Sequence, residues 1–126
     1  MTTTANPRIL LVEDDPLLRH AFKLLLENAG YLITEAGTAK DGIAKATSEP
    51  PDLILLDLGL PDASGLDVAR ALRKHEALLL TPIIALTGRV GPEEKAACIE
   101  AGCTSYLAKP IEPKVLMKRL AEFLAD

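Results

Sequence analysis

Glu13, Asp14 and Asp15 stand side by side directly after the aliphatic run Ile9–Val12. Three adjacent carboxylates repel one another, and burial at a strand end raises that cost further. Asp57 likewise closes an aliphatic run, LILLD; Thr87 closes PIIALT, and Lys109 follows SYLA in LAKPI. The acids have unequal local explanations. Asp15 precedes Pro16, and Asp followed by Pro is a good N-cap and first-turn pair, so Asp15 is read as the start of a helix. Glu13, Asp14 and Asp57 have no such role, because the helix after Asp57 starts near Gly65, too far along for Asp57 to cap it. A cluster of these three needs a cation among them. Oxygen-only ligands in a shallow site with few carboxylates suit Mg²⁺. Lys109 is placed as an ammonium counter-charge, and Thr87 as a hydroxyl at the same end.

Those side chains meet only if the elements carrying them converge. Residues 8–12, 53–57 and 82–87 are continuous apolar runs, the pattern of strands buried on both faces. Residues 31–34 and 105–108 are weaker and are expected nearer the sheet edges. Helical spacing fills residues 16–29, 38–47, 65–75, 92–101 and 113–125, with Gly30 and Gly102 placed as C-terminal caps. Strand then helix, five times over, predicts an α/β fold: a doubly wound five-stranded parallel sheet with helices on both faces. Ligand sites in such sheets lie beyond the carboxyl ends of the strands.

The whole chain bounds the possibilities. Its 126 residues suit one domain, and 48% hydrophobic with 25% charged is ordinary for a globular protein. A net charge of -4 argues against direct nucleic-acid binding. No apolar run approaches the ~18 residues of a membrane span, so no membrane insertion is expected. The opening MTTTANPR lacks the basic-then-apolar pattern of a secretory signal and fits a natural start. Cys98 and Cys103 form no CxxC pair and are expected to be free thiols in a cytoplasmic protein, filling small apolar contacts. Neither GxxxxGK[ST] nor GxGxxG occurs, which weighs against nucleotide binding.

In order, VEDD (12–15), LILLDLGLPDASG (53–65), PIIALTG (82–88) and YLAKP (106–110) closely resemble the receiver domain of two-component response regulators, over roughly residues 8–125. The resemblance implies the flavodoxin-like strand order 2-1-3-4-5; the chain itself is read as a disordered lead-in at 1–7 and a single domain at 8–126. It implies that Asp57 accepts a phosphoryl group from a histidine kinase or histidine phosphotransfer protein. Glu13, Asp14, Asp57 and the backbone carbonyl of Gly59 would hold Mg²⁺. Thr87 would bond a phosphoryl oxygen, Lys109 would pair with the acid and then the phosphoryl group, and Tyr106 would follow the switch. The Lys109–Pro110 peptide is expected to be cis, and the face of residues 92–125 to bind a downstream protein. Residues 59 and 89, here Gly and Arg, occupy positions that influence the lifetime of the phosphoryl group. Two other functions compete: a Mg²⁺-dependent hydrolase with an aspartate nucleophile, and a docking module that takes no phosphate. The hydrolase usually needs a second acid two residues after the nucleophile, where this chain has Gly59. Retention of every acid, hydroxyl and lysine position weighs against the docking module.

Overall fold

The computed structural model describes residues 6–124. Strands and helices alternate through them: β1 (Arg8–Val12), α1 (Pro16–Asn28), β2 (Leu32–Ala36), α2 (Ala39–Ser48), β3 (Leu53–Asp57), α3 (Gly65–Leu72), β4 (Ile83–Thr87), α4 (Pro92–Ala101), β5 (Ser105–Ala108) and α5 (Pro113–Leu124). A single 3₁₀ turn, Glu76–Leu78, precedes β4. All pairings are parallel, in the order β2-β1-β3-β4-β5. The two strands with the weaker apolar pattern are the two edges. Of the lead-in read at residues 1–7, residues 1–5 lie outside the described residues; the Pro7 carbonyl accepts from the Leu32 amide at 2.9 Å.

Every residue of β3 and β4 is buried, as expected of strands covered on both faces. Alternation along the strands divides the core in two. Leu10, Val12, Ile54, Leu56, Ile83 and Ala85 face α2, α3 and α4. Ile9, Leu11, Leu53, Leu55, Ile84 and Leu86 face α1 and α5, where Phe22, Leu26, Leu116 and Leu120 pack.

Local signals set most helix ends. Asp15 accepts from the amides of Leu17 and Leu18 at 3.0 and 3.4 Å, so it caps α1. Gly102 ends α4 at φ +102°, in the left-handed region that favours glycine. Two elements end more than one residue away from the sequence reading. β2 runs over 32–36 rather than 31–34, because pairing with β1 carries it on through Glu35 and Ala36. α3 stops at Leu72 rather than at 75. There the Arg73 guanidinium donates to the carbonyls of Leu78, Thr81 and Gly102 at 2.7, 2.7 and 2.9 Å, fixing a turn in place of another helical one.

Candidate functional site

The carboxyl ends of β1, β3, β4 and β5 bring Glu13, Asp57, Thr87 and Lys109 to one end of the sheet. Glu13, Asp57 and Thr87 are 1, 2 and 4% exposed, the buried polar side chains among the described residues. Asp14 is exposed beside them, and one carboxylate oxygen from each of Glu13, Asp14 and Asp57 lies within 4.8 Å of the others. Lys109 Nζ reaches over from β5, donating to Asp57 Oδ1 at 2.6 Å and standing 3.7 Å from Glu13 Oε1. The Lys109–Pro110 peptide at the strand's exit is cis.

Three carboxylates thus face one ammonium, and the imbalance shows in Glu13. Its Oε2 accepts from the Asp15 amide at 3.1 Å, but its buried Oε1 has no hydrogen-bond partner among the described residues. Burial pushes the Glu13 carboxyl up to about 7, with the Asp57 charge adding to the rise while the Asp15 amide and Lys109 oppose it. For Lys109, burial alone would lower the pKa. The hydrogen bond to Asp57 and the charges of Glu13, Asp57 and Asp14 outweigh that and raise it, so the ammonium persists. An orphaned buried carboxylate oxygen, excess negative charge and an all-oxygen donor set fit a hard divalent cation.

Asp57 Oδ1 also accepts from the Gly59 amide at 3.2 Å, so that oxygen is held from two sides. Asp57, Gly59, Thr87, Arg89, Glu94 and Lys109 line an open cleft of about 570 Å³. The Thr87 hydroxyl accepts from the Arg89 amide at 3.0 Å and donates to the Arg89 carbonyl at 3.2 Å. Tyr106 does not share this cleft. It lies half-buried on β5, opposite Ala85 in register, and lines a neighbouring cavity of about 470 Å³ with Val90, Lys95 and Ile99. Helix α4 borders both spaces.

Four residues that position these groups carried no readable signal of that role. Arg19 donates to the Glu13 carbonyl at 2.8 Å and to Glu35 at 3.3 Å, anchoring the acidic turn to β2. Asp62, in the loop after Asp57, accepts from the amides of Ala39 and Lys40 at 2.7 and 3.0 Å. Those two bonds hold its carboxyl below the usual range and tie the loop to the first turn of α2. Ser64 caps α3 through the Leu66 amide, and residues 59 and 64 form an isolated antiparallel bridge that closes the loop. At Gly65 a Cβ would stand 2.6 Å from both the Asp57 carbonyl oxygen and the Leu58 Cα, so only glycine permits this approach.

The sequence and the fold are shared with known proteins. A family model described as the response regulator receiver domain matches residues 9–121. The KDP operon transcriptional regulatory protein KdpE of Escherichia coli is 39% identical over 112 residues, 89% of this chain and 48% of that protein. The phosphate regulon regulatory protein PhoB of Pseudomonas aeruginosa is 38% identical over 116 residues, 92% of this chain and 51% of that protein. The chain therefore spans about half the length of the curated relatives it matches. Among solved structures, the chemotaxis protein CheY4 of Vibrio cholerae superposes with a TM-score of 0.91 at 32% identity, covering 95% of this chain and all of that one. The receiver domain of the sensor histidine kinase PA1611 of Pseudomonas aeruginosa has a magnesium ion coordinated in its active-site cleft. It superposes with a TM-score of 0.88 at 32% identity, over 97% of this chain and 100% of that one. With the fold, the strand order and the family match in agreement, this chain belongs to the receiver domains of two-component response regulators.

Proposed function

We propose that the domain accepts a phosphoryl group on Asp57 and uses it to change the face formed by residues 92–125. The supporting observation is the setting of Asp57: a nearly buried carboxylate at a cleft, 2.6 Å from an ammonium and clustered with two further acids. Oδ1 is occupied by Lys109 and the Gly59 amide, which leaves Oδ2 as the nucleophile. It attacks the phosphorus of a phosphohistidine on a histidine kinase or histidine phosphotransfer protein, or of a small acyl phosphate. With phosphohistidine the P–N bond breaks and its electron pair stays on the imidazole nitrogen, which takes up a proton. The product is a mixed anhydride that water can later hydrolyse.

Catalysis of this transfer is mainly positioning and charge neutralisation. Lys109 holds the carboxylate and then pairs with the phosphoryl oxygens. Glu13, Asp14 and Asp57, with the Gly59 carbonyl, would hold Mg²⁺, which when bound offsets the charge of the incoming phosphoryl group. The site therefore assists its own phosphorylation and dephosphorylation while the domain remains regulatory. The Thr87 hydroxyl turns from the Arg89 carbonyl to a phosphoryl oxygen, and Tyr106 moves into the space it leaves. This two-state shift carries the change to α4, β5 and α5, where a downstream protein docks. The domain acts in the cytoplasm, where its phosphohistidine donors are made. No described helix is long and apolar enough to cross a membrane.

The test is labelling with acetyl phosphate and Mg²⁺, followed by intact mass. Wild type should gain one phosphoryl group and Asp57→Asn none, with an unchanged circular dichroism spectrum. Stoichiometric labelling of Asp57→Asn would refute the assignment. So would a wild type that takes no label from acetyl phosphate or from a phosphorylated phosphotransfer protein.

A further inference from the structure

We propose that Cys98 and Cys103 form a redox-responsive dithiol, closing to an intramolecular disulfide across the end of α4. The geometry begins with the helix cap. Gly102, at φ +102°, receives α4 in a two-bond termination: its amide donates to the Ile99 carbonyl at 3.0 Å, and the Cys103 amide donates to the Cys98 carbonyl at 2.9 Å. That pattern folds the residue after the glycine back over the residue five positions earlier and normally seals with a hydrophobic contact between them. In this chain the two contacting residues are both cysteines.

The thiols are 1 and 7% exposed and belong to the same buried cluster between the sheet and α2, α3 and α4. A disulfide needs Cα atoms roughly 4.4–6.8 Å apart, and the Cys103 amide bonded to the Cys98 carbonyl at 2.9 Å folds the two residues toward one another. Both residues also line the cavity of about 470 Å³ that holds Tyr106, so a small oxidant can reach them despite their burial. Cys98 Sγ stands 3.9 Å from Glu94 Oε2, a carboxylate placed to take its proton.

With hydrogen peroxide the step balances as follows. The Cys98 sulfur, having lost its proton, attacks one peroxide oxygen; the O–O bond breaks and hydroxide leaves as water. Cys103 sulfur then attacks the Cys98 sulfenic sulfur, the S–O bond breaks, and the departing hydroxide takes the Cys103 proton. Two electrons pass from the sulfur pair to the peroxide, and two waters form. Burial pushes the Cys98 thiol up, with the Glu94 charge adding to it. It pushes Cys103 up to about 12, where the Cys98 thiol adds and the Arg73 and Arg70 guanidinium groups oppose. Reaction is therefore slow at neutral pH and faster in alkaline buffer. Once closed, the bond fastens the end of α4 to the start of β5. The proposal is independent of phosphoryl transfer, because the bond forms or fails whatever Asp57 does.

The experiment treats the folded, reduced protein with hydrogen peroxide in mildly alkaline buffer. Intact mass, thiol titration after denaturation, and peptide mapping are then read. The expected result is a monomer lighter by about 2 Da, two hydrogens lost. Its thiol count should fall from two to none, a Cys98–Cys103 peptide should appear, and dithiothreitol should reverse all of it. Cys98→Ser and Cys103→Ala, each melting like wild type, should give no such species. Retention of both thiols, oxygen added to one cysteine without a disulfide, or disulfide-linked dimers in place of the monomeric product would each overturn the proposal.

Discussion

Glu13 concentrates the electrostatic cost of the site in one side chain. Its carboxyl sits at about 7 in the folded protein against 4.5 for the free group, so the folded state binds the proton more tightly than the unfolded one. Stability from this group is full below the unfolded value and is lost as pH rises from about 4.5 through about 7. That shift corresponds to a penalty of order 3 kcal/mol above neutrality in the chelated protein. Glu13→Gln stays neutral throughout. In EDTA it should match wild type near pH 4 and exceed it by up to about 3 kcal/mol at pH 8, read from urea unfolding. A difference that does not grow with pH would show that Glu13 is not carrying a buried charge. Gly65 bears a steric constraint at the same site. A Cβ there would stand 2.6 Å from the Asp57 carbonyl oxygen, so Gly65→Ala must displace the loop that follows the acid. A loss of roughly 1–3 kcal/mol is expected from such overpacking, with slower labelling by acetyl phosphate. Wild-type melting and labelling in that variant would mean the loop adjusts freely.

Among the elements, α4 is held to the core much more loosely than its neighbour α3. Only Cys98 and Ala101 of its ten residues are buried, and no side chain caps it at Gly91, whose φ is +132°. By contrast, α3 buries Gly65, Val68, Ala69 and Leu72 among eight residues and is capped by Ser64. Sparse burial lowers the cost of local opening. Amide exchange in α4 should therefore run at least tenfold faster than in α3, and should slow when the domain is phosphorylated. Equal protection in the two helices would count against α4 as the mobile partner of the proposed switch. The same contrast explains what the sequence could reveal. β1, β3 and β4 write their burial into unbroken aliphatic runs, and Asp15–Pro16 writes a helix start into two adjacent residues. Glu13, Asp57 and Thr87 stand out as candidates because each lies at the end of such a strand, whereas Lys109 follows the weaker run of β5. What stayed hidden depends on partners distant in the chain. Asp62 finds the amides of Ala39 and Lys40, 23 and 22 residues earlier. Arg73 ends α3 by reaching Gly102, 29 residues on. No local pattern encodes bonds of that span.

Across the whole molecule, the site joins strands that are not all neighbours. Glu13 follows β1, Asp57 closes β3 and Lys109 follows β5, so one ammonium spans the sheet from its centre to its edge. Charge balance at this corner is accordingly read in global stability rather than in local fraying. Removing one partner of a buried ion pair leaves the other uncompensated, at a cost of roughly 3–5 kcal/mol. Lys109→Ala should approach that loss in EDTA, because Asp57 and Glu13 would then face only each other and Asp14. A divalent cation held by those carboxylates neutralises the same excess charge. Mg²⁺ should therefore raise the wild-type melting midpoint, by about 2.7 kcal/mol of stability at a hundredfold excess over its Kd. It should recover more stability in Lys109→Ala than it adds to wild type, and very little in Asp14→Asn. Thermal unfolding of the three proteins, with EDTA and with Mg²⁺, tests this directly. If Mg²⁺ shifts wild type and Lys109→Ala by the same amount, the ammonium and the cation are not balancing one shared charge. The coupling between the edge strand and the centre of the sheet would then have to be sought elsewhere.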